Sequence, residues 1–194
     1  MAQSNPPEFI LEAFADPTTV QDVVRGILHT IFFHRFFPTL TPQTRDVLDL
    51  TLPLVDDVEL ETMIDQRVAA LARQLDKQPH GGGGSSGRGQ ISVQFFEKKR
   101  RKTWLAMRGE EEVCWEYWTV KVTVAEPRTE SERAKVRKAT EATLLASTMK
   151  IITFVNTHKD HIPPITTTNA NPFPYQISVN QQESSWTGRI QGIY

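Results

Sequence analysis

Few residues in this 194-residue chain are typed and spaced for catalysis. His29 and His34 are five positions apart, so on a helix they do not share a face as an i, i+4 metal pair would. His158 and His161 stand three apart at a helix end, near only one acid, Asp160. Cys114 is the sole cysteine. It sits in an apolar stretch beside Trp115 and reads as a buried, inert thiol rather than a nucleophile. One thiol can form neither an internal disulfide nor a Cys-rich zinc site, which fits a cytosolic home. Gly81–Gly84 lacks the Gly-Lys-Ser/Thr ending of a phosphate loop. The acids are those of ordinary helix surfaces. The expectation is no catalytic residue, no metal and no cofactor.

Interaction chemistry is better represented. Lys98–Met107 reads KKRRKTWLAM. A basic root, Lys98, Lys99, Arg100, Arg101 and Lys102, leads into the apolar residues Trp104, Leu105 and Met107. An exposed Trp of this kind anchors in a protein groove or at a membrane interface. The formal net charge is −1, so the basic run is local. The basic excess typical of nucleic-acid binders is missing, and no nucleic-acid partner is expected. Attraction to anionic lipid would be weak and salt-sensitive. A membrane-surface or nucleic-acid module built on residues 98–107 is the alternative to a protein adaptor. His34 falls three residues after Ile31 and seven after Ile27, on an apolar helical stripe. Its spacing suits either a hydrogen-bonded core or rim histidine or a polar contact at an interface.

These residues need elements to hold them. Glu8–Ala15 suits a short opening strand. Asp16-Pro17 looks like a helix start, followed by Val20, Val23, Val24, Ile27, Leu28 and Ile31 at helical spacing and an end near Phe37-Pro38. Arg45–Val55 suggests one strand with Pro53 at an edge. Asp56-Asp57 caps a second helix bearing Leu60, Ile64, Val68, Leu71 and Leu75. Residues 80–89 are a flexible Gly/Ser connector. Ile91, Val93 and Phe95 alternate as a half-buried strand. Val113–Ala125 is the strongest strand, with Trp118, Val120, Val122 and Val124 inward, and with Glu116, Lys121 and Thr123 suiting a more exposed face. Thr129–Glu132 is a capping box opening a helix that runs to about His158. The second half of that helix, Leu144–Val155, is apolar nearly all round. It needs cover from a sheet on one side and from a terminal segment or a partner on the other. Residues 162–194 read as an extended, nearly uncharged strap. The Met1–Pro7 stretch is not a secretory signal, and no apolar run is long enough to span a bilayer. Apolar residues are 39% of the chain, enough for one core over residues 1–194, with α+β architecture and a mainly antiparallel sheet.

Four stretches together resemble the autophagy-related protein 101 family of HORMA-domain proteins. They are Ile27–Arg35 (ILHTIFFHR), Gly89–Lys99 (GQISVQFFEKK), Cys114–Val122 (CWEYWTVKV), and Thr129–Arg133 taken with Pro174–Ser178. The resemblance implies a HORMA fold, with three helices packed on a mainly antiparallel sheet and a C-terminal strap. It implies no enzymatic activity. It implies pairing with the HORMA domain of autophagy-related protein 13, which the chain would stabilise, and membership of the kinase complex that starts autophagosome formation. Location in the cytoplasm and at the phagophore assembly site follows from the same likeness. The family's exposed finger, which recruits downstream factors, maps to Trp104 in the loop 98–112. Here the family's Trp-Pro-Phe is replaced by Trp104-Leu-Ala-Met107. The family's interface His-Arg pair maps to His34 and Arg35.

Overall fold

The computed structural model describes residues 5–77, 87–100, 110–165 and 171–179, with the side chains of residues 100 and 110 set aside. Residues 101–109 of the finger segment, residues 80–86 of the connector, and residues 166–170 and 180–194 of the strap lie outside the described residues. So therefore do Arg101, Lys102, Trp104, Leu105 and Met107.

Three helices, α1 (Val20–Arg35), α2 (Val58–Asp76) and α3 (Glu130–Thr157), pack on a mixed sheet, which makes the architecture α+β. The sheet has the order β1-β5-β4-β6, from β1 (Glu8–Ala15), β4 (Gly87–Arg100), β5 (Glu110–Val124) and β6 (Tyr175–Val179). The β4 strand is antiparallel to β5 and β6, while β1 is parallel to β5. Strand alternation sends Phe9, Leu11, Ala13 and Ala15 of β1 inward, opposite the inward Trp118, Val120, Val122 and Val124 of β5. The helices lay their apolar stripes against this face: Val23, Val24, Ile27, Leu28 and Ile31 from α1, and Leu60, Ile64, Val68 and Leu71 from α2.

Two expectations are corrected at element ends. Helix α1 begins at Val20 rather than at Pro17, because Asp16 caps a tight turn instead. Its Oδ1 accepts from the backbone N–H groups of Thr18 (2.7 Å) and Thr19 (2.9 Å). The stretch Arg45–Val55 is not one strand. It makes up most of a separate hairpin, β2 (Gln43–Val47) with β3 (Leu50–Leu54). The hairpin turns at Leu48-Asp49, where Leu48 takes φ 54, a left-handed value rare for a branched side chain. Pro53 opposite Thr44 is tolerated because the strands of a two-stranded ribbon each keep a free edge. The hairpin presses closely on α1: a Cβ on Gly26 would lie 2.7 Å from Leu52 Cδ1, so glycine is what lets the two approach.

The remaining caps are as the sequence predicts. Asp57 accepts from the Leu60 N–H at 2.8 Å. Thr129 and Glu132 form the reciprocal capping box of α3. After α3 in the chain, Phe173 is buried and β6 pairs with β4 from Ile91 to Phe95, so residues 175–179 of the strap form the sheet edge opposite β1.

Candidate functional site

Helix α3 buries one face only. Thr140, Leu144, Ser147, Thr148, Ile151 and Val155 turn inward against β1 and α1. The flank next to this face carries Leu145, Met149 and Ile152 at i, i+4 and i+7, which stacks them into one exposed stripe. They are 48%, 53% and 36% exposed. The sheet covers one side of this apolar half-helix, and among the described residues nothing covers the other. Alanines 142 and 146 widen the stripe. Between Glu141 and Asp160 the only charged residues are Lys150 and Lys159. Three large apolar side chains grouped on one exposed helix face are a candidate interaction surface.

The other expected contact residues sit at the far end of α1. His34 is half-buried, and burial, aided by the neighbouring Arg35 charge, lowers its pKa. Arg35 turns inward and is 3% exposed. Its Nε donates to both carboxylate oxygens of Glu116, at 2.9 and 3.0 Å, and its two terminal nitrogens donate to the carbonyls of His34 (3.2 Å) and His158 (3.3 Å). Glu116 is fully buried. It also accepts from Trp118 Nε1 at 2.5 Å and meets His161 Nε2 at 2.7 Å. The carboxylate is thus a junction between α1, β5 and the chain leaving α3, and the guanidinium of Arg35 is engaged inside the fold.

This junction overturns the more exposed face expected for Glu116. Glu116 shares parity with Trp118 and Val120, so strict two-residue alternation already points it inward. A β-bulge adds to this. Phe95 pairs with Glu116 and Phe96 with Cys114, leaving Trp115 as the extra residue, and Trp115 and Glu116 are both buried. Cys114 is half-buried rather than buried, and its partial burial pushes the thiol pKa up to about 11, which suits an inert thiol. His29 is buried in the core, and its Nδ1 accepts from the Val55 N–H at 3.3 Å. Burial first, and the Arg25 charge second, lower its pKa to about 4, so it is a neutral core imidazole at physiological pH.

The basic root is part of a strand. Lys98, Lys99 and Arg100 lie in β4, paired in register with Glu112, Glu111 and Glu110 of β5. Lys99 Nζ also lies 2.6 Å from Glu97 Oε1. Lys98 and Lys99 thus stand opposite acids across the ribbon, which offsets part of the local positive charge. Among the described residues no group of three His, Cys, Asp or Glu is placed to hold a metal. None of the described helices is long and apolar enough to cross a membrane.

Comparison with known proteins places this surface in a context. The family model for Autophagy-related protein 101 matches residues 12–169. The chain is 27% identical to Autophagy-related protein 101 of Arabidopsis thaliana over 190 residues, covering 87% of this chain and 84% of the relative. It is 25% identical to the Schizosaccharomyces pombe protein of that name over 166 residues, with 85% and 82% covered. It is 27% identical to the Homo sapiens protein of that name over 173 residues, with 81% and 75% covered.

Proposed function

Because the chain belongs to the autophagy-related protein 101 family and so has a role in autophagy, we propose that it is a non-enzymatic HORMA-domain adaptor. It pairs with the HORMA domain of autophagy-related protein 13, stabilises it, and acts within the kinase complex that initiates autophagosomes, in the cytoplasm and at the phagophore assembly site. The observation that carries this reading is the outward stripe Leu145, Met149 and Ile152 on α3. A protein whose longest helix leaves three large apolar side chains in water has a face that another protein completes.

His34, at the half-buried end of α1, is the polar contact of the same interface. Arg35 contributes by fixing that end through Glu116 rather than by touching the partner. Trp104, Leu105 and Met107, in the segment between β4 and β5, are the residues that recruit downstream factors.

The test is co-expression with the partner HORMA domain and a mass measurement by light scattering. A 1:1 complex at micromolar concentration supports the reading, and two separate monomers sink it. Flotation with anionic liposomes tests the membrane alternative. With a net charge of −1, the chain is expected to stay at the bottom of the gradient.

A further inference from the structure

Strands β4 and β5 run on together past the body of the sheet, and they leave it at the bulge. Pairing with β6 ends at Phe95, and pairing with β1 ends at Tyr117. From Glu97 to Arg100 the only described strand beside β4 is β5, and from Glu110 to Val113 the only described strand beside β5 is β4. No core face selects the register in this ribbon, and register is weakly specified in such strands. Its charges do not select one either. Lys98, Lys99 and Arg100 stand opposite Glu112, Glu111 and Glu110. The sequence, however, offers five consecutive bases, Lys98–Lys102, to three consecutive acids, Glu110–Glu112. A slip of one residue would again oppose three bases to the same three acids. That neighbouring register is the one a strand without the bulge would take, with Phe96 opposite Trp115 and Lys99 opposite Glu112. Phe95 keeps Glu116 opposite it in both.

What differs between the two registers is Trp115. Glu116 points inward by strand parity and is held there by Arg35 and Trp118. In a flat strand the residue before it points to the other face. The bulge turns Trp115 inward as well, where its ring lies 5.0 Å from Phe173, 5.6 Å from His161 and 5.8 Å from Phe95. Its Nε1 is buried with no acceptor, so ring packing rather than a hydrogen bond keeps it in. We propose that Trp115 is the positioning residue of the ribbon. Burial of its ring holds the bulge, and the bulge holds β4 and β5 in the observed register from Phe96–Cys114 to Arg100–Glu110. Without that ring the ribbon slides by one residue at no loss of charge pairing, and a one-residue slip turns every side chain of the sliding strand to the other face. Residues 101–109 lie between these strands in sequence, so the register sets the frame from which they start. The register is a property of the chain by itself, and only its bearing on recruitment rests on the proposed function.

The test is the cross-strand nuclear Overhauser pattern of the full chain, read between the backbone protons of Lys98 or Lys99 and those of Glu112. The unchanged chain is expected to show the Lys98–Glu112 contact. Trp115→Ala is expected to lose it in favour of Lys99–Glu112, with the α1 amides still protected from exchange. Trp115→Phe keeps a ring and drops the unmet donor, and it is expected to keep the Lys98–Glu112 contact. A chain carrying Glu110→Gln, Glu111→Gln and Glu112→Gln is expected to keep that contact too, because charge does not choose the register. Persistence of Lys98–Glu112 in a folded Trp115→Ala chain overturns the role of the ring. A shift to Lys99–Glu112 in the neutralised chain also overturns it, by giving the choice to the charges. This second readout decides the matter even where Trp115→Ala fails to fold. No binding partner enters the measurement, so failure here leaves the proposed function standing.

Discussion

The Glu116 cluster and the outer face of α3 depart from the usual pattern of burial in opposite senses. One puts a carboxylate where the core is driest and satisfies it with an arginine, an indole and an imidazole. The other leaves Leu145, Met149 and Ile152 in solvent with nothing described to cover them. A buried charge has value only while its partners stay, so the first region holds parts of this chain together. Exposed apolar area gains by being covered, so the second region is where the proposed partner would bind. The difference teaches where to look for each role. Internal geometry is set at the Glu116 junction, and the candidate surface for external binding is the exposed stripe of α3.

Removing the carboxylate is the most damaging way to test that division. Glu116→Ala leaves the Arg35 guanidinium buried and unpaired, at an expected cost of about 3–5 kcal/mol in denaturant unfolding. A cost below about 1 kcal/mol, the scale of a surface pair, would remove the junction from its structural role.

The inward region also contains a group that stays neutral, His29, and acid is the lever on it. Its folded pKa of about 4 lies below the ordinary 6.5. The unfolded chain therefore binds the proton first as pH falls. The contribution of His29 is intact above pH 6.5, shrinks between 6.5 and 4, and is fully lost below 4, a difference of about 3 kcal/mol. His34 moves in the same direction from the same cause, burial. Urea unfolding from pH 7 to 4 is expected to show this slope. His29→Phe is expected to flatten it, and an unchanged slope would mean that His29 is not the group responsible.

The outward region is tested by charge in place of apolar surface. Leu145→Asp with Met149→Asp is expected to weaken pairing with the partner HORMA domain by about 2 kcal/mol or more, the scale of an interface hot spot. The melting temperature of the isolated chain should hardly move, because both side chains already face water. A large thermal loss with pairing intact would invert the assignment of the two regions.

Periodic signals carried most of the fold. The alternation in β1 and β5, the stripe of α2 and the capping box of α3 are local patterns, and local patterns survive without knowledge of the partner element. The hairpin was hidden because Leu48 and Asp49 are not the Asn-Gly or Asp-Gly pair that announces a tight turn. Glu116 was hidden because a lone acid between aromatic residues looks like a solvent-facing position. Its satisfaction depends on Arg35, 81 residues away in sequence, and on His161, 45 away. The open stripe of α3 was half legible. The sequence shows that the helix is apolar on more than one side, and only packing shows which side the sheet takes.

The smallest expected effect sharpens the comparison within α3 itself. The first ten residues of the helix are exposed on almost every side. They are held by the capping box and by exposed pairs such as Arg133–Glu130 (3.3 Å), until Arg137 reaches Glu141 (3.0 Å) and Asp49 of the β2–β3 turn (3.3 Å). Thr129→Ala removes the acceptor of the Glu132 N–H and is expected to cost about 1 kcal/mol of local helix stability. That loss should appear as fraying in exchange at residues 130–136, with little change in global unfolding, because this stretch buries almost no core. Pairing strength should stay the same, since Leu145 lies more than four turns further along. A pairing defect in Thr129→Ala would extend the binding face from the apolar stripe into the charged overhang. Electrostatic contacts of the overhang would then have to be added to the apolar ones already assigned.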